Sequence, residues 1–353
     1  MGRRLSWVSH LQSRAMRHLS CSLALVAIVA CGGDSSTTSA DGPSTTGATP
    51  EVTTTVTSTT ASATSGWERL AAMPTPRSEV PAAVLDGEIY VPGGYTAGNG
   101  MPAHGTAAFE AFDPVANSWR RLADLPGARH HLMAAAFDGR VFVFGGYDAD
   151  SNEPTATAWS YDPASDEWTD VTEMPAAVAA GAAVTAGDHI YVIGGIPGGT
   201  NVYRYEPRSD TWDEVAPLLQ PTEHVALAVH EGQLFALGGR WAGEELATVQ
   251  VYALDSDSWV MAPPLQLARG GFGAASFEGR VVAIGGEVAA DRNSLVSVEV
   301  LDPGTGAWTF GERLPVPLHG HAVVIADGQL FVVGGSRVGA GVVNFGDTLV
   351  GRP

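Results

Sequence analysis

Four arginines, Arg77, Arg129, Arg240 and Arg269, form a positive set in a chain that has no lysine and carries 38 acidic against 19 basic residues. A guanidinium presents a fixed fork of donors that matches a carboxylate or sulfate. Together the four could anchor an acidic ligand. The competing reading is local: each arginine pairs with an acid of its own loop, such as Glu79 or Glu287, and only holds that loop in place. Six of the eight histidines beyond residue 31 lie in the same neighbourhoods: His104, His130, His131, His224, His319 and His321. With Tyr147 they yield nine candidate ligand-binding residues: Arg77, Arg129, His131, Tyr147, His224, Arg240, Arg269, Glu287 and His321. No catalytic set is assigned and no cofactor is implied.

Residue types exclude other chemistry. Without lysine there is neither a Schiff-base nor a P-loop lysine. The cysteines are Cys21 and Cys31, so the chain beyond them has no disulfide, thiolate metal site or thiol nucleophile. Neither G-x-S-x-G nor H-E-x-x-H occurs. The stretch Asp148–Asn152 (DADSN) starts like a calcium loop. It then has Glu153 at the place of the turn glycine and Trp159 at the place of the bidentate glutamate.

The element that must position the candidates is a repeat. Glycine pairs begin at 93, 145, 194, 238, 285 and 334, and tryptophans stand at 67, 119, 168, 212, 259 and 308. Each Trp precedes its glycine pair by 26 residues, whereas the stretch from a pair to the next Trp varies from 18 to 26. Length is therefore fixed on one side of the pair and free on the other. A further mark, Phe112, Tyr161, Tyr205, Tyr252 or Leu301, sits seven residues before each later Trp. Runs such as AAAFDGRVFVFGG predict two strands joined by a tight turn. A third strand carries the aromatic and a fourth the Trp. The first strand is rich in Ala and Gly, as expected where sheets converge on an axis, and Trp fills the wide rim. The glycine pair is expected to let a neighbouring backbone approach.

A period near fifty with GG, then an aromatic, then Trp resembles the kelch repeat, one blade of a β-propeller. The resemblance covers about residues 66–350 and implies an all-β, six-bladed kelch-type propeller of four-stranded antiparallel blades. Trp67 has no aromatic strand before it, and no Trp follows the last pair. The strand around Gly66–Leu70 is therefore expected to supply the outer strand of the last blade, with Phe345 as that blade's aromatic, leaving no open sheet edge. On this fold the residues after each pair, Tyr95, Tyr147, Ile196, Arg240, Glu287 and Ser336, open around the channel mouth with the loops that precede each first strand. The resemblance implies partner binding on that face. Histidines mark the first-strand starts of blades two, four and six. Alternate blades are expected to stand too far apart for a shared ion, so no metal site is expected. Glu287–Asp291 begins like the iron motif E-x-x-x-D-x-x-x-H of plant nitrile-specifier kelch proteins, but Leu295 replaces its histidine. Copper radical oxidases share the fold, but their cofactor needs a Tyr–Cys crosslink that a cysteine-free domain cannot make.

Residues 1–30 read as a lipoprotein signal peptide. Arg14 and Arg17 flank the apolar Leu23–Ala30, which is too short to span a membrane. Ile28–Cys31 resembles the lipobox, with Cys31 as the lipidated residue. Met16 is an alternative start to Met1, and Arg3–Arg4 hints at twin-arginine export. Residues 31–65 are nearly all Ser, Thr, Ala, Gly and Pro, and are expected to form a disordered tether with an end-to-end distance of roughly 30 Å; its threonines are candidate O-glycan carriers. Residues 66–350 form the propeller and 351–353 a tail. Removing the leader's four arginines leaves 15 Arg against 38 acidic residues, which excludes nucleic acid and anionic lipid surfaces as partners. Membrane contact is then through the anchor alone, on the outward face of a bacterial envelope.

Three functions follow as expectations. The first is an exported, lipid-anchored module that binds a protein or glycan, acidic ligands included. The second is a carbohydrate-active enzyme on an acidic sugar, of the sialate mutarotase or epimerase kind, with Arg129, Arg269, Glu287 and His131 as its candidates. The third is a structural subunit of an envelope complex.

Overall fold

The computed structural model describes residues 66–96, 104–288, 292–339 and 344–353. They form six four-stranded antiparallel sheets. In blade two, Met133–Phe137, Arg140–Phe144, Ala158–Asp162 and Glu167–Asp170 follow one another from axis to rim. The other blades repeat this order. Second strands such as Arg140–Phe144 and His189–Ile193 are buried on both faces, as continuous β-branched and aromatic runs require when each sheet is sandwiched between two others. The third-strand aromatic pairs in register with the Trp: Phe112 with Trp119, Tyr161 with Trp168, Tyr205 with Trp212, Tyr252 with Trp259.

The glycine pairs join neighbouring blades. The second glycine of each pair donates its N–H to a carbonyl just before the next blade's inner strand: Gly94 to Arg129, Gly146 to Val178, Gly195 to Thr222, Gly239 to Arg269, Gly286 to Leu318, and Gly335 to Arg77. These six bonds run once round the ring, from 2.8 to 2.9 Å. The first glycine makes room for them. A Cβ at Gly145, where φ is +54°, would lie 2.2 Å from the Val178 carbonyl oxygen. The expected close approach of backbones is thus the contact between blades.

A second circuit runs at the rim. Trp119, Trp168, Trp212, Trp259 and Trp308 donate their indole N–H to Ala71, Ala123, Thr172, Ala216 and Pro263 of the preceding blade at 2.8–3.0 Å. Trp67 reaches Glu312 at 3.4 Å. Beside three of these contacts, Asp166, Asp210 and Asp257 accept both a Tyr hydroxyl of their own blade and a backbone N–H of the preceding one.

The ring closes in the sixth sheet, where Trp67–Arg69 pairs with Thr348–Gly351 outside Gln329–Val333 and Ala322–Ala326. The expected exchange of termini is present, with a correction to its register. Trp67 stands opposite Gly351, not Phe345. A Cβ at Gly351 would lie 2.5 Å from the Trp67 ring, so the indole covers the site where blades one to four hold an aromatic and blade five holds Leu301. Phe345 lies before the strand, with the Arg337 guanidinium 3.6 Å from its ring centre. Strand pairing reaches Gly351, so this residue belongs to the sheet and not to a tail.

Candidate functional site

Two tiers of side chains surround the channel mouth. The outer tier is built where the residue after each glycine pair meets the loop that leads into the same blade's inner strand. The pairs are Ser78 with Tyr95, His130 with Tyr147, Ala179 with Ile196, Glu223 with Arg240, Gly270 with Glu287, and His319 with Ser336. The backbone contact is constant, and the side chains differ in every blade. Tyr95, Tyr147, Arg240 and Trp241 are half-buried there.

The inner tier lies one residue further along each loop: Glu79, His131, Ala180, His224, Gly271 and Gly320. All six have left-handed backbone, with φ between +50° and +60°. Four of them are not glycine, although left-handed backbone strains a residue that carries a side chain. Neighbouring members are belted together by backbone bonds. Ala180 donates to His131 (2.9 Å), His224 to Ala180 (2.7 Å), Gly271 to His224 (3.2 Å) and Gly320 to Gly271 (2.7 Å). The belt brings one residue per blade into the neck. Below it the channel wall is apolar, with Ala82, Ala134, Ala183 and Leu227.

The polar side chains of the inner tier converge. Glu79 Oε2 lies 3.5 Å from His131 Nε2 and 3.8 Å from His224 Nε2, and its Oε1 lies 3.7 Å from His319 Nε2. His319 Nε2 is also 3.7 Å from Glu287 Oε2. The His131 and His224 rings stand 4.9 Å apart at 80°. Glu223 binds His224 Nδ1 and, at 2.7 Å, Arg240 Nε. Arg240 further reaches Glu287 at 3.3 Å and the His224 ring nitrogens at 3.2 and 3.3 Å. Burial, with the charges of His224 and His130, holds His131 well below the ordinary histidine range. Burial also opposes charge on His224, but the Glu223 and Glu79 carboxylates outweigh it and hold that imidazole above its usual value. The same contacts, against the effect of burial, hold Glu223 below the usual carboxylate range.

Of the nine candidates, the structure brings His131, His224, Arg240, Glu287 and Tyr147 to the mouth. Arg77 and Arg269 are fully buried inside their blades. Arg77 donates to the Ala108 and Val91 carbonyls and to Glu110 at 3.0 Å. Arg269 donates to Gly285, Ser297 and Glu299 at 2.7, 3.1 and 2.5 Å. Arg129 occupies the equivalent position in blade two, bound to Asp148 and lying 5.2 Å from the Trp159 ring centre. Arg77 and Arg269 tie the incoming loop to the third strand through Glu110 and Glu299, and Arg129 ties it to Asp148 just past the second strand, so all three are engaged within their blades by acids other than the Glu79 and Glu287 expected. His321 is buried, with Nε2 donating to the Ile284 carbonyl at 3.1 Å, and burial lowers it to about 4. In the DADSN stretch, Asp148 accepts from the backbone N–H of Asp150 and Ser151 and from Arg129, which is a turn held by its own residues. Asp291 and Cys31 lie outside the described residues.

The distance expected between alternate blades needs correction. His131 and His224 belong to blades two and four, yet their rings touch. Left-handed backbone turns both side chains past the inner strands toward the axis. Glu79, read from sequence as a local partner for arginine, is the centre of the cluster. Its signal was the constant offset of fourteen residues before the glycine pair, which it shares with His131 and His224.

Comparison with known proteins follows the same architecture. The KLHDC2/KLHL20/DRC7 Kelch-repeats domain matches residues 27–239, and the Attractin/LZTR1 beta-propeller matches residues 141–342. Kelch-like protein terF of Aspergillus terreus is 30% identical over 74% of this chain and 62% of its own length. Kelch-like protein 35 of Mus musculus is 26% identical over 54% of this chain and 31% of its own length. The chain thus spans less than two thirds of these relatives. The solved structure of YjhT superposes with a TM-score of 0.67 at 16% identity, over 80% of this chain and 95% of that one, and supports the fold alone. Six in-phase blades, their two circuits of inter-blade bonds and these matches together place the chain in the kelch-repeat family of β-propellers.

Proposed function

We propose that this kelch propeller is an exported, lipid-anchored module that binds a protein ligand through the loop face around its channel mouth. The supporting observation is the outer tier. Six structurally equivalent backbone contacts carry six different side-chain pairs, and Tyr95, Tyr147, Arg240 and Trp241 are half-exposed among them. Tyr, Trp and Arg are the residue types that dominate protein interfaces, and variable loops on a fixed scaffold are where recognition is carried. The acidic-sugar reading is weaker, because Arg129 and Arg269, its carboxylate anchors, are engaged within their blades. Cys31 in the lipobox-like IVAC supports the anchor.

The test is a photo-crosslinking amino acid placed at Tyr95 or Tyr147, with Asp138 on the opposite face as the control. The expected result is one protein adduct from envelope fractions at both mouth positions, absent from Asp138, and lost in a folded Trp241→Ala variant. Equal labelling from the two faces would refute the reading. Signal on a glycan array without a protein adduct would move it to a glycan ligand.

A further inference from the structure

We infer that Glu79, His131 and His224 form a binding site for a divalent transition-metal ion at the neck of the channel. The inference goes beyond the protein-binding reading and does not depend on it.

The spacing is the first support. One ligand atom from each residue lies within 4.8 Å of the others. The Nε2-to-carboxylate distances of 3.5 and 3.8 Å are too long for hydrogen bonds. They approach the separation of about 3.3 Å between two ligands that each lie 2.0–2.1 Å from a tetrahedral ion.

The second support is how each histidine is held. His224 Nδ1 is bound by Glu223, and His131 Nδ1 contacts His130 Nδ1 at 2.6 Å. Both rings therefore have their outer nitrogen engaged; His131 turns Nε2 toward Glu79, and His224 Nε2 lies between Glu79 and the Arg240 guanidinium, 3.3 Å from the latter. An outer partner on the non-ligating nitrogen, often a carboxylate, is the usual companion of a metal-bound histidine. On the far side, His319 faces Glu79 Oε1 with Nε2 while its Nδ1 is held by Ser294 at 2.9 Å. The third support is charge. Arg240 pairs with Glu223 and Glu287, and Glu79 stands beside the His131 and His224 rings, so three carboxylates meet one guanidinium and a divalent cation balances the remaining two.

Two histidines and one carboxylate suit zinc or another borderline ion, and leave a fourth position for water or a donor from a ligand. The left-handed backbone of all three residues, with the bonds that link His131 to His224 through Ala180, sets the geometry before an ion arrives.

The experiment is calorimetric titration of Zn2+ into the chelator-treated, untagged full chain, with Co2+ absorption as the spectroscopic readout. One ion per chain is expected, with the visible bands of four-coordinate cobalt and a higher Tm with Zn2+. His131→Ala and His224→Ala should each weaken binding by at least about 100-fold, and Glu223→Gln by about 10–100-fold, the range of outer-partner losses. His189→Ala, at a surface histidine that faces Glu206, should change nothing. Absence of saturable uptake, or uptake unaffected by the His131 and His224 changes, would overturn the proposal. If those two variants fail to fold, X-ray absorption on the zinc-loaded unmodified chain decides: two imidazole nitrogens support the site, and none overturns it.

Discussion

Trp67 lies flat against Gly351, in register across the strand pair that closes the ring. The first described strand is thereby sealed by nearly the last residues of the chain. Trp67→Ala should lower unfolding free energy by about 3–5 kcal/mol, as for other large aromatic truncations in cores, and Gly351→Phe should also destabilise by colliding with the indole. Chemical denaturation followed by tryptophan fluorescence measures both. A Gly351→Phe protein as stable as its parent would contradict the packing.

Arg77 and Glu110 form a buried pair at 3.0 Å. Arg77→Ala leaves the carboxylate buried without its partner and should cost about 3–5 kcal/mol. Changing both together, Arg77→Met with Glu110→Leu, should recover most of that loss. Crosslinking at the mouth should persist in the double variant, since neither side chain reaches the channel.

Two glycines separate local strain from collision. Gly139 sits at a hairpin turn with φ +78° and open space where a Cβ would go. Gly139→Ala should cost about 1–2 kcal/mol, the left-handed penalty alone. Gly145→Ala adds a collision with the Val178 carbonyl and should be clearly worse, with loss of the neighbouring inter-blade bond. Thermal unfolding of the two variants side by side checks the order.

His321 confers pH dependence. An unfolded histidine titrates near 6.5, whereas burial lowers His321 to about 4, with His319, Glu79 and Arg269 as the titratable groups around it. The unfolded chain therefore binds the proton more tightly. The stability tied to neutral His321 is complete above pH 6.5 and falls away toward pH 4, by roughly 3 kcal/mol. His321→Gln, which keeps a donor for the Ile284 carbonyl, should flatten that part of the profile. An unchanged slope between pH 6.5 and 4 would remove His321 as its cause.

Most of the scaffold was legible because its marks are short and periodic. The 26-residue interval from Trp to glycine pair is the path across a rim strand, a loop and an inner hairpin, and both of its ends make inter-blade bonds. The site was legible only in part. Arg77 and Arg269 look like ligand anchors because charge suggests exposure, and only packing reveals Glu110 and Glu299 beside them. Glu79 was hidden for the opposite reason. Its role depends on backbone handedness, which turns residues from blades one, two and four toward one point. The misplaced Phe345 has a related cause: at the last blade the aromatic contribution comes from Trp67 covering a glycine, a substitution of one strand's side chain for another's.

The strand exchange in the sixth blade also bears on the order of synthesis. The segment translated first among the propeller strands, Trp67–Arg69, finds its partner only when Thr348–Gly351 has emerged. Until then the nascent propeller is an open arc, with one unsealed blade edge and a tryptophan awaiting cover. Any message cut short before that last strand would yield an arc that cannot be completed.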